Sequence, residues 1–131
     1  MKRVLFILMT ITLLCSCEKA SYVSEKFVGD WEGLLYVISE NGDDKILSVY
    51  KIVELTIEKT SSYTCIIYAF QSPTGIPIKV GEGSTYKGKV IEEGEYITLS
   101  EPFPDNRFKS QKTQDGLRLE SSEFLINLKK Q

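Results

Sequence analysis

From Asp30 onward the chain runs in short apolar stretches, many with aliphatic or aromatic residues at every second position, cut at close intervals by Gly, Asn, Asp and Pro. A period of two sends successive side chains to opposite faces of an extended strand. The texture therefore predicts an all-β domain, and no stretch holds the 3.6-residue spacing of a long helix. Residues 53–58 show the pattern most plainly: Val53, Leu55 and Ile57 fall on one face, Glu54, Thr56 and Glu58 on the other. The same parity extends back through Val49 and Leu47, but it would also carry Lys51 inward. A β-bulge near Lys51 and Ile52 is expected to relieve that conflict.

Applied along the chain, the rule predicts strands at residues 31–38, 46–58, 63–70, 78–80, 85–91, 95–100, 107–113, 117–120 and 124–128. Asn41-Gly42-Asp43-Asp44, Glu92-Glu93-Gly94 and Gln114-Asp115-Gly116 supply turn chemistry, and Gly81-Glu82-Gly83 reads as a bend. Pro73, Pro77, Pro102 and Pro104 make residues 71–77 and 101–106 loops, because proline cannot donate to a ladder. The run 63–70 is apolar on both parities. It is expected to be covered on both faces, or to carry the ordinary scatter of exposed apolar residues on its outer one. Eight or nine antiparallel strands in an open sheet would leave two edges ready to pair with other chains, and curling removes both. The expected architecture is a single antiparallel up-and-down β-barrel.

Ahead of this domain the pattern is different. Met1-Lys2-Arg3 is basic, residues 4–14 are apolar apart from Thr10 and Thr12, and Leu14-Cys15-Ser16-Cys17 follows. That order is the order of a secretory signal, and a small residue directly before a cysteine is the pattern of a bacterial lipoprotein processing site. An apolar run this short reaches only roughly 16 Å as a helix, against a hydrocarbon core of about 30 Å, so it cannot span a membrane. Cys15 follows the bulky Leu14, whereas Cys17 follows Ser16, so Cys17 is the expected lipid attachment. The chain divides into a removed signal peptide (1–16), a lipidated tether with a short helical turn (17–28) and a barrel domain (29–131). In the tether, Ser24 is placed to cap a turn through Glu25, Lys26 and Phe27, with Val23 and Val28 packing across it. Two or three acyl chains on one cysteine hold a protein to a bilayer almost permanently. The expected location is the cell envelope, on the periplasmic face or the cell surface, with the membrane as a partner through Cys17.

Composition narrows the chemistry. The formal charge is -2, with 16 basic and 18 acidic residues, and it becomes more negative once Lys2 and Arg3 are removed, so nothing attracts nucleic acid. The absence of histidine removes Ser-His-Asp and Cys-His mechanisms and most zinc and copper sites. Cys65 is the one thiol of the barrel domain, and its strand position suits a buried, inert residue. Glu92, Glu93 and Glu95 flank a hairpin glycine, where carboxylates sit in water and do not form an acid–base pair. Asp43 and Asp44 read as a plain turn without calcium-loop spacing, and Gly81-x-Gly83 is too short for a phosphate loop. No catalytic residue, cofactor or metal is expected.

Gly29-Asp30-Trp31, after a possible helical turn and at the start of the first strand, resembles the Gly-x-Trp opening of lipocalins and of bacterial lipocalin-like lipoproteins. The stretches Gly83-Ser84-Thr85-Tyr86, Gly94-Glu95-Tyr96-Ile97-Thr98-Leu99 and Gly116-Leu117-Arg118-Leu119 are similar to the glycine-then-strand rhythm of those small barrels. The resemblance implies that Trp31 packs under the closed end, with Arg118 as the candidate cation above it. Trp31-Glu32-Gly33 also resembles the start of copper-resistance-associated envelope lipoproteins, but their Cys-x-x-Cys pair is missing, so no copper role carries over. The function this implies is non-catalytic binding of a small amphiphilic ligand, with Tyr36, Tyr50, Tyr68 and Tyr86 as candidate lining residues. One alternative is a protein-binding module, of inhibitor or immunity type, that caps an envelope protein with residues 71–77 and 101–106. A passive structural lipoprotein is the other. An open apolar interior favours the ligand reading, and an exposed Phe103 on a filled barrel favours the protein-binding one.

Overall fold

The computed structural model describes residues 22–104 and 106–131; the signal segment and Cys17 lie outside the described residues. A single 3-10 turn, Glu25–Phe27, precedes eight strands: β1 (Gly29–Asn41), β2 (Asp44–Ile57), β3 (Ser62–Gln71), β4 (Ile78–Glu93), β5 (Tyr96–Leu99), β6 (Arg107–Lys112), β7 (Gly116–Glu120) and β8 (Phe124–Lys130). Each strand pairs antiparallel with its neighbours in sequence, and β8 returns to pair with β1, closing an up-and-down barrel. The expected all-β class and closure are both observed. Residues 78–80 and 85–91 belong to one strand, because β4 stays paired to β3 on both sides of the Gly81-Glu82-Gly83 bend.

That bend is a bulge. Ile67 pairs with Ser84 and Ala69 with Val80, so Gly81, Glu82 and Gly83 stand opposite the single residue Tyr68. Gly81 and Gly83 have φ of 78° and 73°, which only glycine adopts without strain, and the strand can therefore turn sharply without losing its partner. A second bulge lies on β2, where Leu35 pairs with Lys51 and Tyr36 with Val49, leaving Tyr50 as the extra residue. It falls one position before the expected site. The parity switch turns Leu47 outward into solvent, whereas Lys51 keeps the inward parity of Val53, Leu55 and Ile57.

Strand lengths set the shape. β1 to β4 are long, but β5 to β8 are short, and β4 pairs with β5 only through Val90–Glu93. The barrel is therefore closed and filled in its lower half and flared in its upper half. Among the described residues, β4 from Ile78 to Lys89 is paired on one side only. Lys79, Lys87, Lys89 and the glycine bulge blunt that edge against pairing with other chains.

The lower half holds one apolar core in which Val53, Leu55, Ile57, Ile97, Leu99, Phe108, Leu119 and Ile126 are fully buried. The 3-10 turn plugs its floor. Phe27 is completely buried there, a burial that contributes about 2 kcal/mol. Trp31 donates its indole N–H to the Phe27 carbonyl at 2.9 Å, and Val23 packs into the same cluster. Ser24 makes no side-chain cap; its hydroxyl and backbone N–H instead donate to Glu92 at 2.5 and 2.7 Å, tying the turn to the end of β4. The cation over Trp31 is Lys130, its register partner, 5.6 Å from the ring centroid. Arg118 lies elsewhere, paired with Glu120 at 3.2 Å and half-exposed.

The seam depends on two close approaches. A Cβ on Gly33 would lie 1.7 Å from the Asn127 carbonyl oxygen, and one on Gly116 would lie 1.8 Å from that of Leu128. We expect Gly33→Ala to cost about 3 kcal/mol, because backbone has to give way, and urea unfolding of the two proteins measures it. An unchanged midpoint would mean that β8 can shift freely.

Cys65 is buried and unpaired, and desolvation pushes its thiol up to about 12. An ordinary thiol ionises near about 8.5, so between that pH and about 12 the unfolded chain loses a proton that the folded chain keeps. Stability from this group is complete below pH 8.5 or so and falls as pH rises through that window. Iodoacetamide at pH 8 should label the Cys65 peptide only at the rate of unfolding, as read by peptide mass spectrometry with and without urea. Labelling of the folded protein at the rate of a free thiol would contradict this.

Candidate functional site

The upper half holds a cavity of about 680 Å³ that is open to solvent on one side. Its walls are Leu35 of β1, Ile67 and Ala69 of β3, Val80 to Ser84 and Tyr86 of β4, and Phe124 of β8, with Tyr50 and Lys51 at the β2 bulge. The volume suits a small molecule, and the lining divides about evenly between apolar and polar surface. Both bulges border it. The β2 bulge turns Tyr50 and Lys51 toward the space, and the Gly81–Gly83 bulge bends β4 around it.

The floor comes from a loop. Residues 100–104 enter where β5 stops short, and Pro102, Phe103 and Pro104 line the cavity. Phe103 is only 4 % exposed, with its ring edge-on to Phe108 at 5.2 Å and to Phe124 at 5.8 Å. Below it, the Tyr63 hydroxyl accepts from the Glu101 N–H and donates to the Glu101 carbonyl, each at 2.8 Å, so the loop is fixed from beneath. Its prolines build a wall of the barrel interior. Residues 72–77 keep a surface position, and Ile76 is 71 % exposed.

Of the four tyrosines expected to line an interior, Tyr50 and Tyr86 do so. Tyr36 lies on the outside, in a groove with Leu34 and Asn127. Tyr68 also points outward, donating to Glu54 at 3.1 Å and lying under Lys79. Lys79 reaches across Tyr68 from β4 to Glu54 on β2 and to Glu32 on β1, the latter at 2.8 Å. These hydrogen bonds, donated first to Glu32 and then to Glu54, hold its ammonium above the ordinary lysine range. The network covers the outer face of β3, where Ile66, Tyr68 and Phe70 are half-buried, and so accounts for a strand that is apolar on both parities.

The carboxylates do not converge on the cavity as an acid–base pair. Glu92 holds Ser24, Glu95 lies outside at 4.0 Å from Lys109, and among the described residues Glu82 is the one carboxylate on the lining. Asp43 and Asp44 sit at the tip of the β1–β2 hairpin, and no group of three potential metal-ligating side chains occurs among the described residues. Leu35, Lys51, Ile67, Ala69, Val80 and Phe124 also line the cavity, although sequence reading did not single them out as lining. Only Lys51 carried a local signal, as the one charged residue on an otherwise apolar parity.

Compared with family models, with curated proteins and with solved structures, the chain matches none. What bears on function is therefore the cavity itself: an open space of mixed apolar and polar lining above a filled half-barrel, with Lys51 and Glu82 as its charged residues among the described ones.

Proposed function

We propose that this is a non-catalytic, lipid-anchored envelope protein of lipocalin-like design that binds a small amphiphilic molecule in the upper half of its barrel. The observation that carries the reading is the cavity of about 680 Å³ with Phe103 folded inward as part of its wall. A protein-capping role through residues 101–106 would use Phe103 on the surface, and its burial weighs toward the ligand. Eight strands give an interior that side chains can fill or that can hold one small ligand. Here the lower half does the first and the upper half is shaped for the second.

Ala69 is exposed and stands on the cavity wall, away from the core, so Ala69→Trp fills the space without disturbing the folded half. An environment-sensitive naphthylamine dye should bind the wild type and lose at least about tenfold in affinity in this variant, a change of roughly 1.4 kcal/mol. Native mass spectrometry of protein taken from its own envelope should show a retained small molecule. An empty protein that also ignores the dye would end the ligand reading.

The anchoring half of the proposal rests on Leu14-Cys15-Ser16-Cys17. Metabolic labelling with a fatty acid should mark the wild type and leave Cys17→Ala unmarked, with the variant released from the membrane fraction. Label persisting in Cys17→Ala would place the attachment elsewhere, and a wild type without label would remove it altogether.

A further inference from the structure

We infer that Lys51 makes the cavity selective for single-chain amphiphiles with an anionic head group. The inference rests on the ligand reading above and adds the class of ligand to it. Lys51 occupies the inward parity of β2 directly below the bulge, paired with Leu35 and followed by the buried Ile52 and Val53. It is half-buried on the cavity wall, and none of the ion pairs among the described residues involves it. Its closest cation contact is the Tyr50 ring, with the ammonium 5.2 Å from the centroid.

A lysine so placed loses part of its hydration without gaining a carboxylate among the described residues, which is unfavourable unless something else supplies the negative charge. An anionic head group entering the mouth would supply it. Glu82, the other charged residue of the lining among the described residues, does not oppose this equally. It stands exposed on the glycine bulge at the rim, where water screens it, whereas Lys51 faces Leu35 across the ladder. The apolar tail then has Ile67, Phe103 and Phe124 as its wall. The competing account is that Lys51 merely lays its stem along the wall and directs its ammonium to the open mouth.

The two accounts separate in a displacement assay on the mature chain, residues 17–131, carrying Cys17→Ala so that no attached acyl group competes. Dodecanoate, dodecyl phosphate and dodecanol each displace the naphthylamine dye from the wild type, Lys51→Gln and Lys51→Arg. At least one of the two anions should bind about tenfold more tightly than dodecanol, and the larger gap identifies the head group as carboxylate or phosphate. Lys51→Gln should erase the gap while leaving dodecanol within about twofold, and Lys51→Arg should keep it. If dodecanol binds the wild type as tightly as the anions, or the gap survives in Lys51→Gln, the cavity reading stands and the selectivity inference is overturned. If neither the dye nor any of the three binds, the cavity reading fails and takes the inference with it.

Discussion

The whole barrel depends on how closely β8 can be held between β1 and β7. It is the last strand, and its pairing with β1 joins the two sequence-distant ends of the sheet and converts a meander into a ring. Gly33 on one side and Gly116 on the other have no side chain to hold its backbone away. Without that seam, β1 and β8 would both expose unpaired backbone, and Leu125, Ile126 and Leu128 would lose the enclosure that buries them. The floor follows from the same strand pair. Lys130 covers Trp31 because the seam places them opposite each other, and Trp31 in turn fixes the Phe27 turn through its indole N–H.

Closure alone would give a filled cylinder. The cavity arises from inequality of length: β1 to β4 continue upward after β5 to β8 have ended. A short β5 leaves most of β4 without a ladder partner on that side, and Pro102, Phe103 and Pro104 line the gap. Phe103 then takes the place that a longer strand's inward side chain would have held. Above it no further side-chain layer fills the space, and two bulges widen the walls. The outer clamp of Lys79 on Glu32 and Glu54 braces the bent part of β4 against β2 and β1, so the bend is supported from outside the chamber.

Much of this was legible in the residues. The alternation of Val53, Leu55 and Ile57 names the inner face of β2, and the conflict at Lys51 locates a bulge to within one residue, because both follow from the period of a strand. Phe103 was not legible. Its neighbours Pro102 and Pro104 announce a loop, and a loop ordinarily lies on the surface; only the shortness of β5, a tertiary fact, turns it inward. The single continuous β4 was also hidden, since Gly81 and Gly83 look like an ending when read locally. They act as a bend because β3 supplies partners on both sides of them. Ser24 illustrates a third kind of difference: its hydroxyl has the chemistry of a helix cap, but Glu92, distant in sequence, offers a charged acceptor that a backbone N–H cannot match.

The same geometry constrains how the proposed anchor and the mouth relate. Val23 lies in the floor cluster and receives support from the β2–β3 turn, where its N–H donates to the Lys59 carbonyl at 3.4 Å. The chain thus enters the domain at its closed end, while the cavity opens among the far ends of β1 to β4. On the proposed attachment at Cys17, few residues separate the lipid from this floor, and an extended peptide gains at most about 3.6 Å per residue. The floor is then held near the bilayer, with the mouth on the opposite end of the barrel. Such an arrangement leaves the cavity accessible from the aqueous side, so a ligand would arrive by diffusion or transfer and would not have to pass through the plugged end.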